Sequence, residues 1–154
     1  MTKSQIYTKQ NVRHNSIIKK TASRICSTQV LYGASFVDSD IDLLIKSYMD
    51  NYLKFILLEL GIRKIDTDLF NSITKGVLNN KLSIDDIISK HLSKDWSLNR
   101  LSETEKSVLR LATYELCFDK KFKKIIIINE YISIIESFGG NPNFANGILE
   151  NISK

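Results

Sequence analysis

Residues 102–118 read SETEKSVLRLATYELCF, and this stretch decides the fold class. Ser102 followed three residues later by Glu105 is the pattern of a capping box, in which each side chain accepts a hydrogen bond from the other residue's backbone N–H. The apolar residues that follow lie on most sides of a helix: Val108, Leu109, Leu111, Ala112, Leu116 and Phe118. A helix that is apolar on most sides is buried, so the stretch predicts a central core helix.

The rest of the chain also shows helical periodicity. Pro142 is the single proline and there are six glycines, whereas an all-β fold needs turn residues about every ten positions. Residues 125–128 are four isoleucines, which could locally form a strand, but the apolar spacing continues as that of a helix up to Phe138. The sequence therefore predicts an all-α fold of about seven helices, which start near residues 16, 41, 67, 84, 103, 125 and 142.

The predicted domain organisation is one helical domain behind a basic arm. Residues 1–15 lack apolar periodicity and are rich in polar residues, so we expect a flexible basic N-terminal arm. Residues 16–154 are expected to form a single domain, since 43% of the chain is hydrophobic. No stretch approaches about 18 uninterrupted apolar residues, and the two cysteines lack Cys-x-x-Cys spacing. These features predict a soluble protein of the reducing cytoplasm.

Positive charge is concentrated near the N-terminus. Lys and Arg number 22 against 17 Asp and Glu, and residues 1–37 contain six basic residues and no acid. On a helix that starts near residue 16, one stripe contains Ile18, Ala22, Ile25, Gln29, Tyr32 and Phe36. The opposite face contains Lys20, Arg24 and Ser27, with Lys19 at its edge. We expect the first stripe to pack and the opposite face to display its charge to solvent.

Two interpretations of this charged face stay open on composition alone. It could be a solvated surface that keeps the protein soluble, or it could bind a polyanion. Basic residues near aromatic rings suit single-stranded RNA, because cations bind phosphates and rings such as Tyr32 and Phe144 can stack on unpaired bases. For both rings, the alternative is packing in the core.

The sequence contains no recognisable motif for catalysis, for a metal or for a cofactor. His14 and His91 have no partners at ligand spacing. Gly139 and Gly140 do not form a G-x-G-x-x-G loop after a strand. We therefore predict a protein that is not an enzyme, with no catalytic residue, no metal and no cofactor.

Four motifs occur in order along the chain. The first is a basic run, residues 19–24 (KKTASR), that leads into residues 29–32 (QVLY). The second is residues 105–116 (EKSVLRLATYEL), similar to the pattern E-x-x-x-L-R-x-A-x-Y-E-L. The third and fourth are residues 128–130 (INE) and residues 144–149 (FANGIL). This ordered set resembles the NusB family of transcription antitermination factors.

The resemblance implies a fold of two packed sub-bundles and a function without chemistry. NusB proteins pair with NusE, a small-subunit ribosomal protein, and the pair binds the boxA element of nascent rRNA transcripts. The complex helps the RNA polymerase elongation complex to resist termination. The implied partners are therefore boxA RNA, NusE and the polymerase, without a membrane and with a homodimer as an option.

The resemblance also implies which residues bind. The implied RNA-binding residues are Lys19, Lys20, Arg24, Gln29, Tyr32, Phe144 and Asn146. The implied NusE contacts are Arg100 and Glu105. In the family the last helix lies beside the first, so we expect both to line one RNA surface.

Some positions depart from the family pattern. Thr21 and Ala22 stand where the family usually carries arginine, and Asn143 stands where a lysine usually precedes the phenylalanine. We therefore expect low RNA affinity in the absence of the protein partner. Two further interpretations are an rRNA-targeting domain related to rRNA 5-methylcytosine methyltransferases, and a purely protein-binding helical adaptor.

Overall fold

The computed structural model describes residues 2–154, without the side chains of residues 6–12. This part of the chain is helical and contains no strand. Its α-helices are α1 (Lys3–Ala34), α2 (Ile41–Asn51), α3 (Leu53–Leu60), α4 (Thr67–Asn79), α5 (Lys81–His91), α6 (Glu103–Tyr114), α7 (Lys124–Ser137) and α8 (Pro142–Ser153). A short 3-10 helix spans Leu98–Arg100, and a π-helical turn, Glu115–Asp119, follows α6. The predicted all-α fold class is confirmed.

Polar side chains cap the starts of several helices. Side-chain oxygens of Asp40, Asp66, Ser102 and Asn141 accept hydrogen bonds from backbone N–H groups in the first turns of α2, α4, α6 and α8. Such caps satisfy N–H groups that have no partner within the helix. Gly61 ends α3 in the left-handed conformation, with φ 63°, which glycine adopts without steric cost. These particular helix boundaries therefore follow from local chemistry that is visible in the sequence.

Two helices differ from the prediction. α1 begins at Lys3 rather than near residue 16, because Thr2 and Gln5 form a capping box. The backbone that follows Lys3 is therefore helical. The flexibility predicted for residues 1–15 stays a prediction. Met1 and the side chains of residues 6–12 lie outside the described part of the chain. The segment predicted as one helix after residue 41 is divided into α2 and α3 at Tyr52, where φ is −116°.

The core consists of two hydrophobic clusters. The larger surrounds α6 and contains buried side chains from α4, α5, α7 and α8, together with Leu31 of α1. The smaller joins Ala22, Cys26 and Val30 of α1 to side chains of α2, α3 and α4. This arrangement agrees with the two sub-bundles that the resemblance implies. Because α1 and α4 contribute to both clusters, they hold the two sub-bundles together.

α1 is covered on more sides than a surface helix. It packs against α2, α3, α4 and α6. The prediction of one apolar stripe and one solvent face is wrong: Tyr32 and Phe36 are 44% and 64% exposed, whereas Arg24 and Ser27 are buried. The reason is that α4 and the end of α6 pack on the face that the helical wheel assigned to solvent.

α4 and α6 approach each other closely at Gly76. A Cβ added at Gly76 would lie 2.1 Å from Cζ of Tyr114, which is far inside van der Waals contact. The ring of Tyr114 therefore occupies the space that any larger residue at position 76 would need. Glycine in the middle of a helix is unfavourable by about 1 kcal/mol relative to alanine, so its presence here is explained by this contact.

Candidate nucleic-acid interface

Arg24 is the centre of a buried network of charged and polar groups. Its Nε and Nη2 atoms donate hydrogen bonds to Oε2 and Oε1 of Glu115, at 2.8 and 3.0 Å. Its Nη1 donates to Oε2 of Glu130 at 3.2 Å, and the hydroxyl of Tyr131 donates to Oε2 of Glu115. The Arg24 side chain is 2% exposed. The expectation that Arg24 displays its charge to solvent is therefore wrong, because all three guanidinium nitrogens are bound inside the protein.

The guanidinium of Arg24 keeps its charge despite burial. Burial lowers the pKa of Arg24, but the hydrogen bonds and charge of Glu115, together with the charge of Glu130, outweigh this and raise the pKa above its ordinary value. Burial, with the neighbouring Glu115, also raises the pKa of Tyr131, so this hydroxyl stays protonated and can donate. The buried charges of Arg24 and Glu115 compensate each other, and removal of one partner would leave the other charge buried without compensation.

Three of the four sequence motifs meet in this network. Arg24 lies in the basic run, Glu115 in the 105–116 motif and Glu130 in the I-N-E motif. Thr21, also in the basic run, donates a hydrogen bond to Oε2 of Glu130 at 2.8 Å. These contacts join α1, the end of α6 and α7, so the motifs have a structural role that the sequence alone did not reveal.

Arg24 also contacts the loop between the π-helical turn and α7. Its guanidinium carbon lies 5.1 Å from the centre of the Phe122 ring, within the range of a cation–π interaction. Phe122 lies between exposed lysines on both sides: Lys120, Lys121, Lys123 and Lys124. Arg24 thus helps to position a lysine-rich loop.

Lys19 and Lys20 lie on the surface of α1. Nζ of Lys20 donates a hydrogen bond to Oγ of Ser16 at 2.9 Å and lies 3.7 Å from Oδ2 of Asp66. Both lysines are partly exposed and line a depression between α1 and residues 61–66. Of the three predicted basic residues, these two are placed where an anion can reach them.

Gln29 and Tyr32 lie further along α1. The hydroxyl of Tyr48 donates a hydrogen bond to Oε1 of Gln29, so this acceptor is already engaged. The ring of Tyr32 is 44% exposed and meets the ring of Phe36 edge to face, with centroids 5.0 Å apart. The core-packing alternative is thus wrong for Tyr32, which presents much of its ring to solvent.

Phe144, at the start of α8, lies in a surface cluster with Trp96 and Arg100. α8 packs mainly against α5, α6 and α7. The ring of Phe144 is 5.5 Å from that of Trp96, and the guanidinium carbon of Arg100 lies 5.2 Å from the Trp96 ring. Asn146 and Glu105 are both partly exposed. Through the Trp96 ring, the structure brings Phe144 together with Arg100, a residue predicted to contact the protein partner.

Several residues of these clusters were not predicted from the sequence. Glu115 and Glu130 were noted as motif positions, but their pairing with a basic residue 91 and 106 positions earlier has no local signal. Trp96 is the single tryptophan, and its position between α5 and α6 was a signal that could have been used. Arg63 and Lys64 form an adjacent basic pair that was not considered among the candidates.

The described residues show no arrangement for binding a metal ion. No group of three or more His, Cys, Asp or Glu side chains in this part of the chain lies together. Nδ1 of His91 is 2.8 Å from the carbonyl oxygen of Ile87, and His14 is exposed. None of the helices described here has both the length and the apolar character needed to cross a bilayer.

The fold and these surfaces define a class of protein: two all-helical sub-bundles on a central helix, with basic and aromatic side chains at the surface. The model of the NusB family matches residues 21–154. The chain is 32% identical over 139 residues to the transcription antitermination protein NusB of Clostridium botulinum (strain Alaska E43 / Type E3). The aligned residues cover 89% of this chain and 99% of that protein. The chain belongs to the NusB family, as the resemblance of its motifs predicted.

Solved structures have the same fold. NusB of Thermotoga maritima is 34% identical, with a TM-score of 0.63 and coverage of 87% of this chain and 89% of that one. A chain in the crystal structure of the antitermination factors NusB and NusE with dsRNA is 23% identical, with a TM-score of 0.69 and coverage of 88% and 96%. The second likeness shows that the fold persists at low sequence identity.

Proposed function

We propose that this protein is a transcription antitermination factor that pairs with NusE and binds boxA RNA of nascent rRNA transcripts. The observation that carries the proposal is the match of the NusB family model to residues 21–154. A relative named transcription antitermination protein NusB also aligns with this chain over almost its whole length. A chain of the same fold occurs in a complex of NusB, NusE and dsRNA. The protein acts by binding in the cytoplasm, makes no covalent change, and suppresses termination through the RNA polymerase elongation complex.

The RNA surface on α1 is proposed to combine phosphate contacts with base stacking. Lys19 and Lys20 are partly exposed ammonium groups, which suit phosphates. Tyr32 offers a half-exposed ring, and a base stacked on such a ring gains about 1–3 kcal/mol. Tyr48 engages the amide oxygen of Gln29, and no described residue accepts a hydrogen bond from the amide nitrogen, which can therefore donate to RNA. Arg24 does not contact the RNA in this proposal but holds α1 in place through its buried hydrogen bonds to Glu115.

The cluster around Trp96 is proposed as the place where RNA and NusE meet on this protein. Aromatic rings and arginine are the residue types most enriched at interface hot spots, and the Trp96 ring is 44% exposed beneath the guanidinium of Arg100. Phe144 and Asn146 are assigned to the RNA side of this cluster. Arg100 and Glu105 are assigned to the NusE side.

The test is a titration of labelled boxA RNA with the protein, with and without NusE, against a scrambled RNA over a range of salt concentrations. We expect boxA to bind more tightly than the scrambled RNA, NusE to increase the affinity, and salt to weaken it because phosphate contacts release counterions. The double variant Lys19→Glu/Lys20→Glu should weaken binding. The control Lys46→Glu/Lys90→Glu makes the same change in net charge on α2 and α5, where both lysines are exposed.

Two results would contradict the proposal. The first is equal RNA affinity for the Lys19/Lys20 variant and the Lys46/Lys90 control. The second is a protein that binds NusE but adds nothing to RNA affinity, which would favour the purely protein-binding adaptor.

A further inference from the structure

A basic groove lies between α1 and the loop that joins α3 to α4. Two adjoining depressions of about 380 and 400 Å³ share Asn15, Lys19 and Lys64 in their walls. Arg63 lines the first depression, and Lys20 lines the second. Because the depressions share three residues, they lie side by side, and we call the two together the α1–loop groove.

The loop side of the groove is held firmly against α1. The backbone N–H of Asp66 donates a hydrogen bond to the carbonyl oxygen of Lys19 at 3.4 Å. Oγ of Ser23 lies within hydrogen-bond distance of the carbonyl oxygens of both residues, at 2.8 Å from Lys19 and 2.7 Å from Asp66, and can donate to either. Ile65 is 4% exposed and anchors the loop in the smaller core cluster. Arg63 and Lys64 therefore stand on a short segment fixed at its C-terminal end, not on a free loop.

The groove concentrates positive charge with little compensation. The described residues of its walls include four basic side chains, from α1 and from the loop, and one carboxylate, Asp66. Asp66 pairs with Lys20, at 3.7 Å. Among the described residues, Lys19, Arg63 and Lys64 have no carboxylate within ion-pair distance. Like charges held together in this way raise the local concentration of anions, which is the electrostatic character of a polyanion site.

The lining favours a nucleic-acid backbone over an acidic peptide. Protein partners are usually anchored by aromatic or large apolar side chains at the centre of an interface, and none of the described residues that line the groove is aromatic. Phosphate contacts need only cations and other donors, which Lys19, Arg63, Lys64 and the amide of Asn15 supply. Without a ring among these described residues, no base can stack on them, so the lining suits phosphate contacts better than contacts to bases.

We propose that the α1–loop groove extends the RNA surface of α1 onto the neighbouring loop, where Arg63 and Lys64, together with Lys19, bind backbone phosphates without sequence preference. This inference rests on the proposed RNA-binding function and extends it to a loop outside the four sequence motifs. The groove fixes the position of the RNA on the protein, and contacts to base edges, made elsewhere on the protein, account for preference among sequences.

The test compares wild type with Arg63→Ala/Lys64→Ala in the complex with NusE, using boxA and scrambled RNA over a range of salt concentrations. We expect the variant to bind both RNAs about 3- to 10-fold more weakly, by a similar factor for each. The slope of log affinity against log salt should become shallower by about 0.7 for each phosphate of single-stranded RNA that the variant no longer binds. Lys46→Ala/Lys90→Ala, which removes the same charge from other helices, should keep the wild-type slope.

The alternatives give different results. An unchanged affinity and slope in the variant, while wild type binds RNA, would overturn the groove and leave the proposed function standing. A loss of NusE affinity without a loss of RNA affinity would overturn the assignment of the groove to RNA and would indicate that the groove binds an acidic protein segment. If the wild-type complex itself fails to bind RNA, the proposed function fails and the groove assignment fails with it. A thermal melt confirms that the variant is folded, as expected for two exposed side chains.

Discussion

Arg24 and Glu115 form a two-point ion pair inside the protein. Two guanidinium nitrogens meet the two carboxylate oxygens at 2.8 and 3.0 Å, and the two side chains are 2% and 1% exposed. The pair links the middle of α1 to the residue that follows α6. A basic residue in a motif associated with RNA binding is thus part of the protein's own packing.

Replacement of Arg24 by alanine should destabilise the protein by about 3–5 kcal/mol, because it leaves Glu115 buried without its partner. Arg24→Lys should restore only part of this stability, since an ammonium cannot bridge both oxygens of Glu115 and also reach Glu130. Urea denaturation followed by circular dichroism measures the change. The control is Lys46→Ala, which breaks an exposed pair with Asp50 and should cost less than about 1 kcal/mol. Wild-type stability in Arg24→Ala, combined with loss of RNA affinity, would instead identify Arg24 as a direct RNA contact.

The fold class could be predicted because its signals are local. The capping position Ser102 and the helix ending at Gly61 follow from residue types at fixed spacings, and the structure shows both. The start of α1 was also encoded locally: Thr2 and Gln5 have capping-box spacing, but the polar residues that follow conceal the helix. The lack of an apolar stripe is not enough to predict the absence of a helix, because a helix can form without one.

The burial of Arg24 could not be predicted, because a helical wheel shows which residues share a face but not how many neighbours cover the helix. Ser23 and Ser27 look like solvent residues in the sequence. In the structure Ser23 donates to the carbonyl oxygen of Asp66, and Ser27 forms a hydrogen bond with Thr74. These small polar side chains allow α4 to approach α1 closely, and their hydrogen bonds are made only by contacts between residues distant in the sequence.

Gly76→Ala should destabilise the protein by about 1–3 kcal/mol, because the added methyl would overlap the ring of Tyr114. This loss should exceed the helix-propensity gain of up to about 1 kcal/mol that alanine normally brings. Gly147→Ala is a matched control: position 147 also lies within a helix, but nothing stands within 4 Å of the added Cβ. The control should be neutral or slightly stabilising in thermal melts. Equal melting temperatures for the two variants would show that Tyr114 moves aside without cost.

Cys26 should resist thiol reagents in the folded protein. Its side chain is buried, and burial raises the pKa of the Cys26 thiol to about 11. At about pH 8, only about one thiol in a thousand would be the reactive thiolate, and that fraction should grow tenfold per pH unit until the pKa is approached. Ellman's reagent should therefore detect at most one thiol, the partly buried Cys117, in the native protein, and both after unfolding in guanidinium chloride. A Cys117→Ser variant should show none in the native state; rapid reaction of this variant would contradict the burial of Cys26.

Tyr32→Ala should weaken RNA binding, while Tyr32→Phe should preserve it, if the ring stacks on a base. The ring is 44% exposed and rests against Phe36, so its removal takes away a stacking surface without opening the core. Stacking of one base contributes about 1–3 kcal/mol, which corresponds to roughly 5- to 150-fold in affinity. Fluorescence anisotropy with boxA RNA and NusE measures the change, and the salt dependence should stay that of wild type because no cation is removed. A Phe variant as weak as the Ala variant would show that the hydroxyl, not the ring, makes the contact.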